Sequence, residues 1–89
     1  MNHKRIAESL VRKYKTRDPF CIARELGYLV VRTSLQDIRG FWHHIQRQHI
    51  IFIDDSLPEQ VARFVCAHEI GHALMHRGCN RIYMDANTY

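Results

Sequence analysis

The segment His68-Glu69-Ile70-Gly71-His72 leaves the chain little choice of local structure. On a helix that spacing stacks both imidazoles on one face, one turn apart, where together they can hold one divalent metal ion. The reading therefore asks for a helix through this stretch. Glu69, next to the first histidine, then stands where H-E-x-x-H places the general base of a metal-dependent peptidase. On this reading His68 and His72 are metal ligands, Glu69 is the catalytic base and the metal is Zn2+. The bland alternative is an amphipathic helix whose histidines are half-buried and hydrogen-bonded.

Upstream residues support the helix. Ser56-Leu57-Pro58-Glu59 reads as a capping box, with Ser at the cap and Glu three residues on. A helix of about twenty residues follows, its buried side marked by Leu57, Val61, Phe64, Val65, Ala67 and residues 70–74. Gly71 costs about 1 kcal/mol of helix propensity relative to Ala, which is understandable if another segment approaches the helix closely.

The rest of the chain supplies two helices and three strands. Ile6, Ala7, Leu10, Val11 and Tyr14 recur at helical spacing, with charged residues on the other face. Asp18-Pro19 is a good helix start, Phe20, Ile22, Ala23 and Leu26 follow at helical steps, and Gly27 suits the position just past the C-terminus. Residues 28–32 form a compact β-branched run that predicts a strand. Residues 35–40 read as a loop. Residues 41–46 and 49–54 predict a hairpin turning near Arg47-Gln48, although no Asn-Gly or Asp-Gly marks the turn. Residues 50–53 are apolar without alternation, the pattern of a central strand covered on both faces. Asp54-Asp55 reads as a loop feature where that strand ends, since neighbours on a strand point to opposite faces.

A chain of 89 residues makes one domain, with a smaller buried fraction than larger domains achieve. The formal charge of +4 permits contact with nucleic acid without demanding it. The arginines behind that charge are dispersed, which suits a solvated surface better than a binding stripe. Three cysteines without a C-x-x-C pair argue against a disulfide framework and fit a reducing, cytoplasmic compartment. No signal peptide or membrane span is visible.

The run His68-Glu69-Ile70-Gly71-His72-Ala73-Leu74-Met75-His76, the hydrophobic strand before it and the early Asp18-Pro19-Phe20-Cys21-Ile22-Ala23 together resemble the ImmA/IrrE family of metallopeptidase-like proteins, found in phages, mobile elements and bacterial stress regulons. The resemblance runs over nearly the whole chain. It implies an α+β, zincin-like fold: two N-terminal helices, a small three-stranded antiparallel or mixed sheet, then the long motif helix. It also implies zinc-dependent cleavage of a helix-turn-helix transcriptional repressor, with His68 and His72 as ligands and Glu69 as base. Family members complete the metal site with a third ligand, usually a glutamate on a later helix. Here the sequence ends at Tyr89 before such a helix, so residues 1–89 read as a single metallopeptidase-like domain lacking its C-terminal helices. Two histidines alone should bind zinc weakly.

Other donors are poorer third ligands. His76 lies a further turn along, rotated by about 40° per four residues, and suits the negative end of the helix dipole better. Cys79 and Asp85 lack a fixed spacing. One of His43 and His44 must face the motif side of the sheet, yet exposed strand polarity explains both. Cys66, on the apolar side of the helix, reads as a small core residue. The alternative to an enzyme is a non-catalytic module that binds a repressor or DNA. Self-association through surface left open by the missing part is a further expectation.

Overall fold

The computed structural model describes residues 3–77, so the readings on Cys79, Asp85 and the segment beyond fall outside the described residues. Among the described residues three helices and three strands run in the order α1 (His3–Tyr14), α2 (Pro19–Glu25), β1 (Leu29–Thr33), β2 (Gly40–Ile45), β3 (Gln48–Asp54) and α3 (Glu59–Arg77). This is an α+β fold. The sheet order is β1-β3-β2, with β1 parallel and β2 antiparallel to the central β3. Of the two sheet types the sequence left open, the mixed one is found.

The ends of α2 form as their residue types dictate. Asp18 accepts a hydrogen bond from the Phe20 N–H at 3.1 Å, and Pro19 opens the helix. At the other end Tyr28 N–H donates to the Ala23 carbonyl and Gly27 N–H to that of Arg24, the paired bonds of a Schellman motif. Gly27 makes them possible with a φ of 78°, a conformation that only glycine adopts without strain. The chain thereby turns straight from α2 into β1.

The hairpin is displaced by one residue from its predicted turn. Gln46 and Arg47 carry it, with φ of 48° and 69°, the two left-handed residues of a type I′ turn. Neither is a residue that advertises this conformation.

Ile51 and Ile53 on β3 are fully buried and meet Ala62, Val65, Cys66 and Ile70 of α3 in the core, joined by Ile22, Ala23 and Tyr28. Contrary to expectation, the central strand is not covered equally on both faces by the described residues. Its burial alternates, with Ile50 and Phe52 only partly buried. On their side lie Leu29, Val31 and Ile45, 53%, 37% and 46% exposed, and the Phe41 ring stacked on Phe52 at 4.7 Å. The helices pack against the opposite face.

A polar cluster closes the end of β3 ahead of α3. Asp54 is buried at the end of β3 and accepts hydrogen bonds from the Leu35 N–H at 2.9 Å and from the N–H and hydroxyl of Ser56. Ser56 is thus engaged by Asp54 instead of acting as the cap of α3. The helix begins later, its first turn closed by the Ala62 N–H on the Pro58 carbonyl at 2.9 Å. The capping-box reading is corrected accordingly: the helix starts at Glu59, three residues past the serine, whose hydroxyl donates to a carboxylate two residues upstream.

Candidate metal centre

Helix α3 is drawn onto the sheet at a glycine. A Cβ at Gly40 would lie 2.6 Å from Val65 Cγ1 and 2.7 Å from the Phe52 carbonyl oxygen, well inside van der Waals contact. This close approach is at Gly40, on β2, a glycine to which the sequence reading gave no such role. Seated in this way, α3 carries the motif through its middle and second half.

Within α3 the two motif histidines converge. Their Nε2 atoms are 2.9 Å apart and their rings meet edge to face, with centres 4.6 Å apart. One ligand atom from each of His68, Glu69 and His72 lies within 4.8 Å of the others. Glu69 and His72 are 2% and 6% exposed, while His68 is half-buried. Two nitrogens at 2.0–2.1 Å from one zinc ion would be separated by roughly 3 Å. The observed convergence therefore fits a divalent metal with borderline-soft nitrogen ligands. Among the described residues no further His, Cys, Asp or Glu joins this group.

Phe64 departs from the predicted pattern. It is 65% exposed, with its ring 6.4 Å from that of His68. With Ala67, also exposed, it borders an apolar cavity of about 350 Å³ whose lining includes Leu10, Val11, Ile22, His68 and Gly71. The apolar periodicity of α3 runs past the end of the core into the wall of this cavity. Spacing alone does not distinguish the two.

The remaining sequence candidates separate cleanly. Cys66 is fully buried, and burial pushes its thiol up to about 12, keeping it protonated; a protonated thiol is neither ligand nor nucleophile. His76 is exposed in the last turn and does not join the motif group. His43 and His44 are split by the strand: His44 pairs with the buried His49 and shares the α3 side, whereas His43 pairs with Ile50 on the other. Sequence did not single out His49 or Trp42, although the Trp42 indole N–H donates to His49 Nδ1 at 2.9 Å. Only the strand register puts them together.

A helix-borne His-Glu-His cluster against a small mixed sheet defines a metallopeptidase-like domain. The chain belongs to the Peptidase_M78 family, the IrrE N-terminal-like domain, which it matches over residues 23–89. It is also similar to a protein of Bacillus phage phi105 named "Uncharacterized immunity region protein 2", 34% identical over 86 residues, covering 96% of this chain and 54% of that protein. The chain thus spans about half the length of that relative. No solved structure matches it. Among the described residues no helix is long and apolar enough to cross a membrane.

Proposed function

We propose that this chain is the metal-binding part of a zinc-dependent endopeptidase that cleaves a helix-turn-helix repressor in phage or mobile-element regulation. The observation that carries the proposal is the 2.9 Å approach of the two Nε2 atoms beside a buried glutamate. Family membership supports the peptidase chemistry, and the immunity-region relative supports the regulatory setting.

His68 and His72 would hold the zinc. Bound there, zinc would supply Lewis-acid polarisation of a peptide carbonyl and lower the pKa of water to about 7. Glu69 acts as base: its carboxylate takes a proton from the attacking water and returns it to the nitrogen of the breaking C–N bond. Its burial, at 2% exposure, keeps bulk water from competing for that proton. The family's third ligand, a carboxylate on a later helix, would complete the centre. Cytoplasmic residence follows from the repressor substrate.

The test is incubation of the purified protein, in its longest natural form, with candidate helix-turn-helix repressors. Glu69→Gln is expected to abolish cleavage while leaving zinc bound. Cleavage at the wild-type rate by that variant would overturn the assignment of Glu69. A wild-type protein that retains zinc and binds the repressor without cutting it would favour the binding-module reading.

A further inference from the structure

Away from the motif pair, three more imidazoles gather around Trp42, the single tryptophan of the chain. His44 stacks on the buried His49 with ring centres 4.1 Å apart and planes within 2°. The His76 ring stands 5.0 Å from that of Trp42 and meets His44 edge to face at 5.6 Å. Strand β2 supplies His44, and the last turn of α3 supplies His76. Both are exposed.

We propose that His44 and His76 form a second site for a borderline divalent transition-metal ion such as Zn2+ or Co2+, separate from the His68/His72 pair. An imidazole nitrogen sits about 2.0–2.1 Å from such an ion and roughly 1.1 Å from its own ring centre. Two imidazoles sharing one ion at a tetrahedral angle therefore have centres roughly 5 Å apart. The 5.6 Å between His44 and His76 is close to that span.

The site is also built to hold its ligands in place. Trp42 donates its indole N–H to His49 Nδ1, which fixes the His49 ring. His44 lies flat against that ring and is oriented by it. With Nδ1 engaged by Trp42, His49 acts as the backing for His44. Three donors converge within 4.8 Å only at His68, Glu69 and His72 among the described residues, so the second site is a two-imidazole site completed by water. Its affinity is correspondingly modest, and its occupancy follows the supply of metal.

Trp42 provides the readout, because a paramagnetic Co2+ ion held by His76 would quench the indole beside it. Co2+ is titrated into the chain while tryptophan emission is followed, in the wild type, His44→Ala, His76→Ala, a His68→Ala/His72→Ala double variant, and His43→Ala. Saturable quenching is expected in the wild type, the double variant and His43→Ala, whose side chain lies on the other face of the sheet. In His44→Ala and in His76→Ala the midpoint should rise roughly 10-fold or more. Curves for these two that superimpose on the wild type would overturn the proposal. So would quenching lost only when His68 and His72 are removed.

Discussion

The Nε2 atoms of His68 and His72 stand 2.9 Å apart on successive turns of one helix. Such a contact is a hydrogen bond when one nitrogen carries a proton and the bite of a metal chelate when neither does. The helix that presents them is positioned by contacts some distance from the motif, and those contacts can be tested apart from the histidines themselves.

Gly40 is the tightest of these contacts. Replacing it with Ala drives a methyl group into Val65 and into the Phe52 carbonyl, and the backbone cannot yield as a flexible side chain would. Overpacking of this kind costs about 1–3 kcal/mol. Urea unfolding of Gly40→Ala should therefore show a lowered midpoint at unchanged slope; an unaltered midpoint would mean that α3 is not seated on β2 at this point.

Asp54 predicts the acid behaviour. Hydrogen bonds from Leu35 N–H and from Ser56 hold its carboxyl below its ordinary value of 3.8. A carboxylate whose folded pKa is lowered stabilises the fold above the unfolded value, and that contribution is lost as pH falls through the folded pKa. Melting temperature followed from pH 7 downward should fall below about pH 4. Asp54→Asn should melt lower at neutral pH and lose less on acidification. Parallel curves for the two proteins would contradict this role.

The turn at Gln46-Arg47 offers a stabilising change. Both residues occupy left-handed conformations that cost most side chains about 1–2 kcal/mol. Asn-Gly is the pair that a type I′ turn favours. The double substitution Gln46→Asn/Arg47→Gly should raise stability by about 1 kcal/mol. Thermal denaturation checks it, and a drop in melting temperature would count against the observed turn.

Cys66 should be chemically silent in the folded chain. Its thiol is buried and pushed up to about 12, whereas Cys21 is only partly buried. Alkylation with iodoacetamide at pH 8, mapped by peptide mass, should mark Cys21 and spare Cys66 until denaturant is added. Equal rates in native protein would show that the core opens at α3.

How much of this was readable beforehand depends on the range of the interactions. Asp18-Pro19, Gly27 and the apolar run at 50–53 carry local signals, and α2, its Schellman end and the central strand follow from them. The motif spacing likewise places His68 and His72 on one helix face. Ser56 misled because its residue type suits a cap, whereas the helix starts only at Glu59 and the Ser56 hydroxyl donates to Asp54. Phe64 misled because helical periodicity identifies an apolar face without saying whether a neighbour covers it. The cluster of His44, His49 and His76 around Trp42 was beyond local reading altogether, since it depends on the register of β2 against β3 and on where α3 crosses them.

The most direct test of the metal centre is zinc binding measured by competition with a chromophoric chelator, with His44→Ala present throughout to silence the second site. His68→Ala and His72→Ala are each expected to weaken binding by roughly 10-fold or more, while Glu69→Gln binds as tightly as its parent. Undiminished binding in either histidine variant, or loss of zinc in Glu69→Gln, would contradict the assignment of two ligands and a base.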